Sequence, residues 1–236
     1  MDETIRQKLM DVSVATLATA LYKRGLRQQV IQGVHPIGHK GRNMVGPAFT
    51  LRYMPAREDR NQLSEFRNPE HPQRVAIETC PPGHVLVMDS RKDARAATAG
   101  DILLTRLMMR GAAGAVTDGG FRDAATIAGI DMPVYHQRPS SPTNLTLHEA
   151  IEIDVPIGCG DAPVFPGDII VGDGDCVIVI PADLAAEIAD EAVEMTAYED
   201  FVIDRVKDGE AIIGLYPCTQ DRHQAAFAEW RKANGR

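Results

Sequence analysis

Apolar residues recur along this chain at two spacings, and the change between them outlines its elements. Ile5, Leu9, Val12, Leu17 and Leu21 return at near-helical intervals, which predicts one amphipathic helix over 3–24, stopped by Gly25. Gly33 to Gly46, rich in Gly, His and Lys, reads as an irregular loop, and 45–54 as a strand. Pro55 to Pro72 is a charged connection with a short helix around 63–66. Pro81-Pro82-Gly83 is a turn that launches the strand 85–89. A small-residue stretch, 94–99, leads into Gly100-Asp101 and a helix over 102–109 that ends at Gly111. The strand 115–117, a Gly-Gly turn, a short helix to Gly129 and the strand 134–135 follow.

Beyond that point short β-rich runs dominate, at 151–157, 169–171 and 177–180, separated by Pro-Gly-Asp and Gly-Asp-Gly-Asp turns. Such clustering predicts an antiparallel or mixed portion of sheet. Asp183 opens a long helix striped by Leu184, Ile188, Met195, Tyr198, Val202 and Val206, and a last helix over 221–232 carries the only tryptophan, Trp230. The pattern predicts one α/β domain with a mixed sheet: 1–182 as its body and 183–236 as a helical arm of the same domain.

Composition narrows the function classes. The 236 residues are 44% apolar and 25% charged, ordinary for a globular chain. A net charge of −8 argues against a broad nucleic-acid footprint. The acidic excess gathers between Asp183 and Asp208, where a solvated helix face accounts for it. Cys80, Cys159, Cys176 and Cys218 are too scattered for a zinc knuckle or a disulfide scaffold. No run reaches the roughly 20 apolar residues of a membrane span, and the charged N-terminus lacks a signal core, so the expected setting is cytoplasmic.

Chemistry concentrates in two places. Gly100-Asp101-Ile102-Leu103 opens a helix, whose first N–H groups and positive dipole end suit a carboxylate or phosphate. Asp118-Gly119-Gly120-Phe121-Arg122-Asp123 follows a strand, with glycines that can turn or approach a ligand and a cation beside a carboxylate. Each residue also has a plain reading: Asp101 and Asp123 as helix caps, Arg122 as a surface ion pair. Together they suit a 2-oxo acid and a hard cation, Mg²⁺ or Mn²⁺. Lysine is scarce, and Lys92 is the only one worth testing as a Schiff base. His35 and His39 lie in glycine- and proline-broken sequence that denies them a helical zinc pair. His136 reads as a surface or core histidine, and Asp173-Gly174-Asp175 as a hairpin turn. Nucleotide-binding and hydrolase glycine motifs are missing.

The ordered set Ala99-Gly-Asp-Ile-Leu-Leu104, Gly111-Ala-Ala-Gly-Ala-Val-Thr-Asp-Gly-Gly-Phe-Arg-Asp123, Asp131-Met-Pro-Val134 and Pro166-Gly-Asp-Ile-Ile-Val-Gly-Asp173 closely resembles the RraA-like family. The resemblance runs from Leu9 to Gly209. It implies a β/β/α swivelling-type domain assembled as a homotrimer or homohexamer, with sites between subunits. The family holds class II pyruvate aldolases of 4-hydroxy-4-methyl-2-oxoglutarate and 4-carboxy-4-hydroxy-2-oxoadipate, and also regulators of ribonuclease E. On the aldolase side the resemblance implies that the Gly100, Asp101, Ile102 and Leu103 amides hold the pyruvate carboxylate, Arg122 the keto oxygen and Asp123 a Mg²⁺ or Mn²⁺ ion. Asp101 would position a water, and Glu199 of a neighbouring subunit's arm, with Asp200 close behind, would complete the site. Oxaloacetate decarboxylation is the implied side activity. The chain departs from the family at His84 and Thr19, where relatives often carry Asp, and in the long loop 55–72. Arg52, Arg57, Arg60 and Arg67 there read either as receptors for a second carboxylate or as surface decoration, with surface favoured.

Overall fold

The computed structural model describes residues 1–38 and 41–236. Its helices are α1 (Glu3–Met10), α2 (Val14–Lys23), α3 (Pro72–Thr79), α4 (Asp101–Met109), α5 (Ala124–Ile127), α6 (Ala185–Lys207) and α7 (Asp221–Asn234). Strands β1 (Val30–Ile31), β2 (His35–Pro36), β3 (Met44–Pro55), β4 (Val85–Asp89), β5 (Ala97–Ala99), β6 (Gly114–Thr117) and β7 (Gly120–Phe121) belong to the first half. They are followed by β8 (Val134–His136), β9 (Arg138–Pro139), β10 (His148–Ile153), β11 (Ile157–Cys159), β12 (Ala162–Val164), β13 (Ile169–Gly172) and β14 (Val177–Ile180).

The long strand β3 organises the main sheet. One edge pairs in parallel with β4, from Ala48 opposite Val85 to Arg52 opposite Asp89, and β6 and β8 continue that parallel run. Its other edge is shared: residues 44–47 pair antiparallel with β13, and residues 51–55 antiparallel with β10. β14 and β1 extend the sheet beyond β13, and β2 closes the far side against β8. The sheet is therefore mixed, as the clustering of short runs predicted. Central strands are buried on both faces, which is why β4 reads Val-Leu-Val-Met without alternation. On one face Phe49, Leu51, Leu86 and Met88 pack with Ala76 and Ile77 of α3, Leu104 and Leu107 of α4 and Ile127 of α5. On the other, Ala48, Val85 and Val87 meet the β11–β12 hairpin.

Several predicted elements differ from those observed. The span 3–24 is two helices, because Ser13 turns extended and its Oγ accepts from the Thr16 N–H as a new N-cap. The run 151–157 is likewise two strands, broken where Asp154 adopts a left-handed conformation at φ 58° before Pro156. The loop 33–46 contains β2, and the small-residue stretch ends in β5. Helix α3 begins on Pro72, at the first helical position where the missing N–H is harmless. The acidic face of α6 is paired rather than merely solvated. Asp190 meets Lys8, Glu191 meets Lys23 and Arg24, Glu194 meets Arg231 and Asp200 meets Arg236. Its apolar stripe packs Ile188, Ala189 and Ala192 against Leu9, Leu17 and Leu21. Phe201 joins Phe227 and Trp230 of α7. Among the described residues no helix is long and apolar enough to cross a membrane.

Candidate active site

A second, three-stranded parallel sheet, β5-β7-β9, sits at the carboxyl ends of β4 and β6 and sets up the site. Ala99 of β5 lies beside Phe121 of β7, so the residues leaving both strands emerge side by side. β5 runs into Gly100 and the start of α4; β7 runs into Arg122-Asp123 and the start of α5. The Arg122 N–H donates to the Ala99 carbonyl at 3.0 Å, fixing the two exits against each other. A cavity of about 210 Å³ opens there, walled by Gly100, Asp101, Ile102, Leu103, Arg122, Phe66, Gln73, Arg74, Thr143 and Asn144, with Ala97 and Ala99 behind.

Gly100, Asp101, Ile102, Leu103 and Arg122 line this cavity, and Asp123 lies beside it, next to Gly100. A Cβ on Gly100 would lie 2.8 Å from Arg122 Cγ and 3.0 Å from Asp123 Oδ2, so the glycine is what lets both side chains lie over the start of α4. Arg122 Nε donates to Asp123 Oδ2 at 3.0 Å, leaving both Nη groups and the other Asp123 oxygen without a partner among the described residues. Neither plain reading of the aspartates as caps describes them. Gly100, not Asp101, occupies the N-cap of α4, and Asp101 Oδ1 accepts from the Ile102 N–H at 2.7 Å. Asp123 stands at the N-cap of α5 but makes no capping bond, and it holds φ 59°. A left-handed non-glycine residue costs about 1–2 kcal/mol. Here it aims a half-exposed carboxylate back toward α4.

Gly119 and Gly120 have a different job from the one expected. Cβ atoms there would fall 2.6 Å from Ser90 Cβ and 2.6 Å from Ser140 Cβ, so these glycines admit the protein's own side chains rather than a ligand. Beneath them Ser90, Thr98 and Thr117 form a buried triangle of hydroxyls at 2.7–3.0 Å. Asp118 accepts from the Ser90, Lys92 and Gly160 N–H groups and is pushed up to about 6, burial outweighing those three bonds. This floor was invisible in sequence because it joins four separate segments.

Other candidates lie elsewhere. Glu199 accepts from Thr16 Oγ1 at 2.8 Å and Tyr216 Oη at 3.3 Å, on α6 and outside the cavity wall of its own chain. Lys92 pairs with Asp161 at 2.7 Å, which raises its ammonium above the usual lysine range, the reverse of what a Schiff base needs. His136 is buried, stacked on Phe121 and pushed down to about 4 by burial, as a core histidine would be. His39 lies outside the described residues. Asp173 caps the β13–β14 turn through the Asp175 and Cys176 N–H groups, as predicted for a hairpin. Arg52, Arg57 and Arg60 pair with Glu152, Asp59 and Glu149, and Arg67 is exposed, none of them on the cavity wall.

The residues present suit a hard cation held lightly. Asp101 and Asp123 bring carboxylate oxygens to the glycine cradle, and no thiol or imidazole lines the cavity. Among the described residues no cluster of three His, Cys, Asp or Glu could cage a metal. One or two carboxylates with water and substrate oxygens is the coordination Mg²⁺ prefers.

Comparison with known proteins places the fold in a family. The profile of the RraA-like family, described as Aldolase/RraA, matches residues 14–179. A Halalkalibacterium halodurans protein named "Putative 4-hydroxy-4-methyl-2-oxoglutarate aldolase" is 33% identical over 135 residues, 57% of this chain and 64% of that protein. The chain spans less than two thirds of the length of the curated relatives it matches. The crystal structure of Streptomyces coelicolor RraAS2, an unusual member of the RNase ES inhibitor RraA protein family, superposes with a TM-score of 0.76 at 30% identity, over 85% of this chain and 96% of that one. An uncharacterized protein from Pseudomonas syringae pv. tomato shares the fold, at TM-score 0.77 and 23% identity over 92% and 98% of the two chains. The motif order and the mixed sheet thus have one source: the chain belongs to the RraA-like family.

Proposed function

We propose that the protein is a divalent-metal-dependent lyase. It would cleave 4-hydroxy-4-methyl-2-oxoglutarate, or a related 4-hydroxy-2-oxo diacid, to pyruvate and a second oxo acid, and decarboxylate oxaloacetate as a side activity. The observation that carries this reading is the uncommitted charge over Gly100: two free Arg122 Nη groups and a free Asp123 oxygen at the start of α4.

In this mechanism the Asp101 and Leu103 N–H groups at the start of α4, with its dipole, hold the pyruvyl carboxylate, the Ile102 N–H being taken by Asp101 Oδ1. Arg122 Nη donates to the keto oxygen. Asp101, through the carboxylate oxygen not engaged by Ile102, takes the C4 hydroxyl proton by way of an ordered water. The C3–C4 bond then breaks, its electrons pass toward the keto oxygen, and Arg122 stabilises the pyruvate enolate where that charge appears. Mg²⁺ or Mn²⁺ held by Asp123 would supply a second positive charge there, as a Lewis acid does. Loss of CO₂ from oxaloacetate leaves the same enolate and would draw on the α4 N–H groups, Arg122 and the Asp123 ion, with no hydroxyl for Asp101 to deprotonate. Glu199 from a neighbouring subunit of a trimer or hexamer would complete the substrate side.

The deciding assay is pyruvate release from 4-hydroxy-4-methyl-2-oxoglutarate and from oxaloacetate, with Mg²⁺ and with EDTA. Release that EDTA abolishes and Mg²⁺ restores is expected, and Arg122→Ala should lower kcat by about 10²–10³ without loss of fold. The similarity to RraAS2 supports a second reading, a regulator that docks on a ribonuclease. Absence of metal-dependent release from either substrate would move the balance to it.

A further inference from the structure

Arg74 has the setting of an anion receptor. It stands on α3 at the cavity wall, half-buried, with its guanidinium carbon 4.6 Å over the Phe66 ring. Most arginines of this chain have a carboxylate close by; the guanidinium of Arg74 has neither a carboxylate nor a hydrogen-bond acceptor among the described residues. Burial holds it below the usual arginine range, the signature of a cation that has lost water without gaining an anion. A half-buried guanidinium set over an aromatic ring, with no acceptor of its own, leaves N–H donors free for a carboxylate.

A second, separate observation marks the same wall. Gln73 is 98% buried (2% exposed), and its side-chain amide donates to the Thr98 carbonyl. Its Oε1 has no partner among the described residues. An orphaned buried acceptor is unfavourable unless something donates to it. A ligand hydroxyl in the adjoining cavity is of the right chemistry.

We propose that Arg74, with Phe66 and Gln73, forms a subsite for the end of the substrate remote from the pyruvyl group. The cavity then takes a dianionic 2-oxo acid, one carboxylate at the start of α4 and Arg122, the other at Arg74, with a hydroxyl between them within reach of Gln73. This inference rests on the pyruvyl end of the lyase reading and adds the residue that selects the diacid. It also replaces the arginines of the 55–72 loop as the receptor for a second carboxylate.

The test is calorimetric binding, in Mg²⁺, of 2-oxoglutarate against 2-oxopentanoate, which has the same carbon chain without the distal carboxylate. The wild-type protein should prefer the diacid by about 10- to 100-fold, the range of a charge-assisted contact. Arg74→Gln, which keeps a polar stem, and Arg74→Ala should both bring the preference toward unity. Arg74→Lys should recover part of it, while Arg57→Ala, an equal loss of charge on the surface, should retain it. A wild-type preference near unity, a preference that survives both charge-removing variants, or no binding of either acid would overturn the subsite. The lyase reading fails separately: a preference that depends on Arg74 without any cleavage sinks the lyase alone, and cleavage with no such preference sinks the subsite alone.

Discussion

At Gly100 an added methyl would press on the Arg122 stem and a carboxylate oxygen of Asp123, both on half-exposed side chains, while the backbone at φ −131° accepts any residue. Gly100→Ala should therefore leave the thermal midpoint within a few degrees and still cut kcat/KM by roughly tenfold or more, since sub-ångström misplacement of reacting groups is costly. Gly119→Ala should do the reverse. Its Cβ meets the packed Ser90 and Thr98 side chains at 2.6–3.0 Å, where overpacking destabilises by about 1–3 kcal/mol. Paired urea melts and steady-state kinetics on the two variants separate the effects. Asp118 makes a third case. Its folded value of about 6 lies above the unfolded carboxylate at 3.8, so the group binds more protons folded than unfolded between those values. Its contribution to stability is present below pH 4 and is lost as pH rises through about 6, a swing of about 3 kcal/mol at about 1.4 kcal/mol per unit. The stability difference between wild type and Asp118→Asn, from urea midpoints at pH 4, 5, 6 and 7, should shift against wild type across that window. Asp93, held at about 2 chiefly by its Arg95 hydrogen bonds, acts oppositely and only in stronger acid.

Elements were legible where one segment carried its own signal. The Gly100 start of α4 and the β13–β14 hairpin each rest on adjacent residues and stand as read, whereas the Gly-Gly turn read before Arg122-Asp123 contains strand β7, which only its pairing with β5 and β9 makes. The break at Ser13 escaped because Val12 is buried and keeps the helical rhythm across the gap, although Ser13 and Thr16 are a capping pair. Ser13→Ala removes that cap and should cost about 1 kcal/mol of unfolding free energy, measurable by urea titration. Strand β5 escaped for another reason: three small residues have no strand pattern, and only pairing with β7 makes them one. The same limit hid Arg74. Nothing local separates it from the other arginines of its neighbourhood, and its role depends on α3 folding back beside α4 and the Phe66 ring.

The whole molecule leaves apolar surface around the site. Ile102 is 78% exposed and Met109 71% exposed on α4, and Leu63 is 74% exposed in the segment before α3. Exposed apolar side chains on these elements suit the subunit contacts of a symmetric oligomer. Glu199, however, is held within its own chain by Thr16 and Tyr216. It has two distinct possible jobs, pinning α6 to α2 or reaching a neighbour's cavity, and mixed oligomers separate them. Arg122→Ala and Glu199→Ala subunits are each expected to be inactive alone. If a site takes Arg122 from one subunit and Glu199 from the next, co-expression at equal levels rebuilds about a quarter of the sites, because each needs one subunit of each kind in the right order. Differently tagged subunits, purified through both tags and assayed for pyruvate release, should recover about a third of the sites of a trimer, since each mixed ring of three has one junction in the right order. If Glu199 serves only its own chain, every site in the mixture lacks one of the two residues, and the doubly tagged oligomers stay inactive.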